Sequence, residues 1–569
     1  MTATAPAPTP TGAERSVRAR FQALLPTRAE LALMRLAPGR DLLAGVTVAV
    51  VALPLALGFG ITSGLGAMAG IVTAVIAGFV AAMFGGSNLQ VSGPTGAMTV
   101  VLVPIVAEFG ADGVLMVGLM AGILLLILAW VGAGRAMRYV PAPVIEGFTL
   151  GIACVIALQQ VPLALGVATP DGDRVLGVAF SAVRDALDNP SWPARVISVT
   201  VTAVILRGGR WHPTIPFSLV AVGVVTITVS LADVDVPTIG QLPAMFPAPS
   251  LGFGDVGARP ARVVPAVAVA ALAALESLLS ASVADGMSVG QRHDPDRELV
   301  GQGLANLAVP LFGGVPATAA IARTAVNVRA GARSRLAAAS HAVVLALVLL
   351  AAAGVVGEIP LAALAGVLIA TALRMGETAS VRAIGRASRA DALVLGVTAT
   401  ATVVLDLVVA VVLGLAVAGA LALRAVSRRA RVEEVPIHPD MPGEHSDEEQ
   451  ALLAEHIVAY RIDGPVFFAG AHRFLLQLSD VADVSVVIIR MSRVTTIDTT
   501  GAMVLKDVID KLTQKGIVVM VTGTAVHQLR LLDTLGVLDD LRREGRVFDT
   551  TPEAIEAARE HLQSNGVIG

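Results

Sequence analysis

The sequence reads as a polytopic α-helical membrane protein of about fourteen transmembrane segments, followed by a small cytoplasmic α/β domain. Only 15% of the 569 residues are charged and 55% are hydrophobic, with a mean hydropathy of +0.76. Soluble domains carry about 25% charged residues. The deficit is concentrated in long apolar runs between Asp41 and Val426. Past Arg424, Arg428, Arg429 and Arg431, the composition becomes that of an ordinary soluble domain.

In chain order, residues 1–40 pass from a Thr/Ala/Pro tract to a stretch bearing Arg15, Arg18, Arg20, Arg28, Arg35 and Arg40. No apolar stretch with a small-residue cleavage site follows the first charges, so the segment reads as a cytoplasmic lead-in. A window of about 20 apolar residues, shortened where Gly and Pro interrupt, then places elements across residues 41–426. Their centres lie near Val51, Val75, Met98, Ile123, Val155, Val201, Val222, Leu272, Leu307, Ala320, Val344, Val367, Val397 and Val412. Arginines fall in alternate loops: Arg135 and Arg138, Arg207 and Arg210, Arg292 and Arg297, Arg329 to Arg335, and Arg374 to Arg389. The intervening loops hold Glu108, Asp112, Asp171, Asp173, Glu358 and Asp406. Arginine-rich loops stay cytoplasmic, so this alternation predicts an inner-membrane protein with both termini in the cytoplasm. Residues 427–450 read as a linker. In residues 451–569, the runs Val484 to Ile489 and Ile517 to Val521 alternate with helical patterns at Thr500 to Gln514 and Val526 to Leu535, which predicts an α/β domain.

Several function classes drop out. The net charge of −3, with lysine only at Lys506, Lys511 and Lys515, offers no basic surface for nucleic acid. The single cysteine, Cys154, makes no intramolecular disulfide or cysteine metal site and reads as a small packing residue. Gly64 to Gly70 superficially resembles a dinucleotide loop, but no strand precedes it, and the Gly66/Gly70 spacing suits helix contact in a membrane. There is no Ser/His/Asp grouping, phosphate loop or metal-spaced His/Cys cluster, so no enzyme, metal or cofactor is expected.

Two segments carry the expected chemistry. Phe84-Gly85-Gly86-Ser87 precedes Ser92-Gly93-Pro94-Thr95-Gly96-Ala97, and Phe312-Gly313-Gly314-Val315 precedes Pro316-Ala317-Thr318-Ala319-Ala320. Paired Gly/Pro-interrupted spans point to an inverted-repeat transporter. A half-helix beginning at membrane depth directs unpaired N–H groups and a positive dipole end at one point, where an anion can bind. Arg323, about two turns beyond the second breaker, adds a positive charge. Glu276, in an apolar helix with no cation nearby in sequence, can take up a proton near neutral pH, with Ser280 one turn on to hold a hydrogen bond. Asp285 ends the same helix toward the cytoplasm. His341 reads as a hydrogen-bonded interface residue.

At this point the chain resembles the sulfate permease (SulP) family of anion transporters, relatives of the animal solute carriers that include prestin. The resemblance runs from about Asp41 to the end. It rests on Asp41-Leu42-Leu43-Ala44-Gly45-Val46-Thr47-Val48-Ala49 with Pro54, on Gly93-Pro94-Thr95-Gly96, and on Glu298-Leu299-Val300-Gly301-Gln302-Gly303-Leu304-Ala305-Asn306 leading into Phe312-Gly313-Gly314. It implies a seven-plus-seven inverted repeat divided into a core domain and a gate domain, and a homodimer. It also implies a substrate site lined by Thr95, Gly96 and Ala97 on one side and Ala319, Ala320 and Ile321 on the other, with Arg323 behind and Glu276 adjacent. Leu275 to Leu279, Val283 to Met287 and Ala317 to Gly331 look most like the bacterial branch that takes up C4-dicarboxylates with protons. Sodium-coupled bicarbonate members usually place Asp at Glu276 and Thr at Ile321. The tail resembles the STAS domain: Val466-Phe467-Phe468-Ala469-Gly470-Ala471 matches its strand-to-helix turn, and Ile497-Asp498-Thr499-Thr500-Gly501 its helix-opening loop. Asp498 is the expected N-cap, and Thr499 the candidate phosphorylation site.

The resulting expectation is a proton-driven carrier of a small oxyanion, sulfate or C4-dicarboxylate. The alternatives are a sodium-coupled bicarbonate transporter, an exchanger or channel, and a membrane-anchored signalling protein whose STAS domain binds a cytoplasmic protein.

Overall fold

The computed structural model describes residue 27 and residues 32–567, apart from 171, 173, 212–215, 254–259, 289, 377–378, 406, 428–430, 436–454 and 467–483. Most of the predicted lead-in and linker, Asp171, Asp173, Asp406, Arg428, Arg429 and the Phe467 to Ala471 turn lie outside the described residues. The chain divides into two compact units, Met1–Leu415 and Ala416–Gly569.

In the first unit α1 (Pro38–Thr62) and α2 (Ala67–Phe84) precede a two-residue strand β1 (Ser92–Gly93) and α3 (Gly96–Val131). Then come α4 (Ala142–Gln159), α5 (Val161–Leu165), α6 (Val175–Asp188), α7 (Trp192–Trp211) and α8 (Phe217–Leu231). The order continues through α9 (Val263–Met287), α10 (Pro295–Ala308), β2 (Thr318–Ala319), α11 (Ile321–Arg329), α12 (Arg335–Gly357), α13 (Leu361–Gly376), α14 (Ala379–Ala387) and α15 (Arg389–Val404). Helix α16 (Leu407–Ser427) runs across the division between the units. Among the described residues, eight helices are long and apolar enough to cross a membrane. The expected centres at Met98 and Ile123 fall in α3 on either side of a non-helical kink at Gly110 (φ 68, ψ −176), so that α3 is two helices joined end to end. The predicted elements near Leu307 and Ala320 are short helices, α10 of 14 residues and α11 of 9.

Small residues set the packing. A Cβ on Gly70 would stand 2.0 Å from the Ala56 carbonyl oxygen, and one on Gly45 would stand 2.5 Å from that of Ala337, so α1 meets α2 and α12 backbone to backbone. Helices α1, α2, α3, α9, α10, α11 and α12 pack around the breaker segments, while α4 packs on α15 and α13 on α7. Helix α6 is an element the sequence reading does not list. It is short and carries Arg184, Asp185 and Asp188, so no apolar window marks it. Cys154 is exposed rather than packed.

The second unit holds β3 (Arg431–Val435), β4 (Ile457–Val466), β5 (Val486–Arg490), β6 (Val494–Ile497), α17 (Thr499–Gln514), β7 (Val518–Thr522), α18 (Val526–Thr534), α19 (Asp539–Arg543), β8 (Val547–Phe548) and α20 (Thr551–Ser564). The sheet order is β3-β4-β5-β7-β8, with β6 paired to β4, and only the β3–β4 pair is antiparallel. Strand β3 falls inside the segment read as linker; its Glu433 pairs with Arg461 of β4 at 2.7 Å. The run Val486 to Ile489 is fully buried because helices cover both faces. Val487 and Ile489 pack with α17, and Val486 and Ile488 pack with α20. Helix α20 opens on a capping box of Thr550 and Glu553.

Candidate functional site

Strands β1 and β2 pair antiparallel, with Ser92 opposite Ala319 and Gly93 opposite Thr318. This pairing brings the two breaker segments together, so that α3 starts just beyond β1 and α11 just beyond β2. Thr95 is the N-cap of α3 and accepts from the Met98 N–H at 3.4 Å. Ala320 is the N-cap of α11 and offers no side-chain cap. Free N–H groups at helix starts are suited to a negative ligand.

One face of α10 fastens both breakers. The Glu298 carboxylate accepts from the Gly86 and Ser87 N–H groups at 2.9 and 3.1 Å. One turn on, the Gln302 amide donates to Ser92 Oγ at 2.7 Å and to Glu298 Oε1 at 2.9 Å. A further turn on, Asn306 donates to the Ala317 carbonyl at 2.9 Å and accepts from its N–H at 2.8 Å. A Cβ on Gly301 would lie 2.4 Å from Gly85 Cα, so glycine is needed there for the close approach. The sequence reading used these residues only as a family signature. Their 4-residue spacing along a short helix is the signal that marks them as one polar face.

Arg323 is 1% exposed, and its Nη2 donates to the Pro94 carbonyl at 2.8 Å. Its Nη1 stands 2.5 Å from where a Cβ on Gly93 would sit. Glu276 is half-buried on α9 and accepts from the Thr95 hydroxyl at 2.9 Å. The two groups are thus held at neighbouring residues, Pro94 and Thr95, where α3 begins, and their opposite charges act on each other. Thr95, Gly96, Ala97 and Ala319 are buried, while Ala320 and Ile321 are half-buried. A Cβ on Gly96 would meet Ile156 of α4 at 2.1 Å and Phe59 of α1 at 3.1 Å, so these apolar side chains close over the α3 start.

Ser280 does not serve Glu276. Its hydroxyl donates to Thr324 Oγ1 at 2.9 Å, because one turn further along the same face of α9 the neighbour is α11 rather than the α3 start. Ser277 of α9 meets β2 through Thr318 Oγ1 at 3.0 Å and the Ala319 N–H at 3.1 Å, and the Thr318 hydroxyl also donates to the Ala273 carbonyl at 3.4 Å. Asp285 accepts from the His293 backbone N–H, and its Oδ2 lies 2.7 Å from His293 Nδ1. His341 is buried, but neither ring nitrogen has a hydrogen-bond partner, contrary to the hydrogen-bonded interface expected for it.

In the second unit Asp498 caps α17, accepting from the Gly501 N–H at 2.7 Å. A Cβ on Gly501 would lie 2.2 Å from the Val466 carbonyl oxygen, which explains glycine at the end of the Asp-Thr-Thr-Gly loop. Thr499 is exposed at the first turn of α17. Among the described residues, no group of His, Cys, Asp or Glu could hold a metal ion.

Two helix starts at one point, an arginine buried behind them and a many-spanning apolar unit define a membrane transport protein. The chain belongs to the sulfate permease family: the model of that family matches residues 39–398, and the STAS domain model matches residues 450–554. It is 33% identical over 89% of its length to YvdB of Bacillus subtilis strain 168, which bears the name of a sulfate transporter and is covered over 95%. It is 31% identical over 91% of its length to the bicarbonate transporter BicA of Synechocystis, covered over 94%. The solved structure of the murine Slc26a9 anion transporter in the inward-facing state shares the fold, with a TM-score of 0.78 at 15% identity over 97% of this chain and 96% of that one. The chain is a multi-pass transporter of this family and not an enzyme.

Proposed function

We propose that the protein is a secondary active carrier that moves a small oxyanion together with a proton across the inner membrane. The reading is carried by the β1–β2 pair, which sets the starts of α3 and α11 side by side. In it, the anion accepts from the N–H groups at Gly96, Ala97, Ile321 and their neighbours, opposite Arg323. Glu276 takes the proton, and its bond to Thr95 links proton occupancy to the shape of the anion site. The fourteen spans form two inverted halves. Both termini are cytoplasmic, as the arginine alternation requires. The carrier is a homodimer, and its STAS domain docks a cytoplasmic partner, with Thr499 as the phosphorylation point.

Sulfate or a C4-dicarboxylate is the substrate best matched to a site with a full positive charge and two helix starts. Bicarbonate is the second reading, favoured by the similarity to BicA over nearly the whole chain. Liposomes holding the purified protein and an internal pH dye decide among them. Succinate or sulfate added outside should acidify the lumen. A signal that needs bicarbonate and external sodium would move the substrate to that class. Glu276→Gln should abolish the pH dependence of uptake, and full retention of that dependence would remove Glu276 from the coupling step. Silence with all three anions would favour exchange or the signalling reading.

A further inference from the structure

His341 lies on α12 with none of its surface exposed, and both ring nitrogens are unpartnered. The Ala338 carbonyl, one turn earlier, faces the ring but lacks hydrogen-bond geometry. A buried polar group left this way costs stability unless another group completes its bonds. Its surroundings bring one charged side chain near. The ring Cε1 lies 3.5 Å from where a Cβ on Gly78 of α2 would sit, and the Ser92 carbonyl oxygen of β1 lies 3.4 Å from the same point. At the next residue of β1, the Cβ position of Gly93 lies 2.5 Å from Arg323 Nη1 and 3.2 Å from Ala74 Cα, one turn from Gly78. The imidazole and the guanidinium therefore flank neighbouring residues of one short strand against one face of α2. Arg323 Nη1 is itself unpartnered in a side chain 1% exposed, and the Arg323 charge acts on the imidazole.

We infer that His341 is a positioning residue for Arg323, holding the guanidinium through buried water. Guanidinium offers only donors, and a neutral imidazole offers one acceptor nitrogen and one donor. A water between them accepts from Nη1 and donates to the ring, completing the bonds of both, as buried waters do at polar internal sites. Nη2 is fixed by the Pro94 carbonyl and Nη1 by this water, so the plane of the guanidinium is set relative to the two helix starts. The role rests on the oxyanion reading above, since it gives Arg323 an anion to face.

The test is a double-mutant cycle on the full chain, read as sulfate and succinate Kd together with thermal unfolding. His341→Phe should weaken binding about tenfold, the loss of one hydrogen bond to a charged group. His341→Gln, which keeps an acceptor and a donor, should restore most of the affinity. In an Arg323→Ala background, His341→Phe should change Kd by less than about twofold, because the two act as one unit. An unchanged Kd in His341→Phe, or its full effect without Arg323, would overturn the inference. A map at a resolution that shows other buried waters should show one between His341 and Nη1, and a map lacking it there would also overturn the inference. If the unaltered protein binds no oxyanion, the proposed function fails, and the map still decides the pairing.

Discussion

Gly93→Ala tests the geometry of the arginine directly. The new methyl would start 2.5 Å from Arg323 Nη1 and 3.2 Å from the Ala74 backbone, and φ at this residue is 154°, where side chains are rarely found. The backbone cannot yield to the methyl without breaking the Ser92–Ala319 and Gly93–Thr318 pairing, so the guanidinium must move by about 1 Å to reach ordinary contact. At an effective dielectric near 20, unit charges about 4 Å apart interact by about 4 kcal/mol, and a 1 Å retreat weakens this by about 0.8 kcal/mol. The expected loss is about fourfold in Kd for a monoanion and about fifteenfold for a dianion. The control is Gly110→Ala, where φ is also positive, at 68°, but a Cβ would meet nothing within 4 Å. That variant should lose about 1–3 kcal/mol of stability to backbone strain and keep its affinity. The assay is equilibrium binding of sulfate and chloride, with thermal unfolding of each variant in the same detergent. If Gly93→Ala binds both anions as the unaltered protein does, or loses no more affinity than Gly110→Ala, Arg323 does not face the anion as described.

Arg323→Ala should weaken a dianion more than a monoanion, and equal losses in a binding titration would place the charge away from the site. Asn306→Ala strands the buried Ala317 N–H and carbonyl, at a cost of about 1–3 kcal/mol for each unsatisfied group. A lowered thermal midpoint with weaker anion binding is expected, and an unchanged midpoint would show that α10 does not hold the second breaker. Deleting residues 433–569 should leave a folded membrane unit that still binds its anion in a titration. A folded truncation without binding would contradict the division of labour between the units.

The breakers and the buried charges were legible because glycine, proline and a lone arginine stand out against an apolar background. Their meeting through β1 and β2 was not, since two-residue strands leave no periodic trace. Ser280 donates to Thr324 rather than to Glu276, and spacing along α9 gives its face but not which neighbour that face meets. The polar face Glu298, Gln302 and Asn306 was visible as a spacing, yet only the fold shows that it fastens chain segments rather than a ligand. Strand β3 was read as linker because five residues with three charges resemble a tail until Arg461 is placed opposite Glu433. Cys154 shows the opposite error, since in a membrane an apolar run does not tell an inward face from a lipid-facing one.

The three polar side chains of α10 also constrain how cargo can be moved. Glu298 and Gln302 grip the chain leading to one helix start, and Asn306 grips the chain leading to the other, all from a single rigid rod. If these helix starts hold the anion as proposed, α10 ties both of them to one helix, so that they would move together. Under that proposal, release would come from moving both starts together past Phe59 and Ile156, which lie against the α3 start, or from shifting those two side chains. On this proposal, substitutions in α10 would act on anion loading, and substitutions at Phe59 and Ile156 on movement.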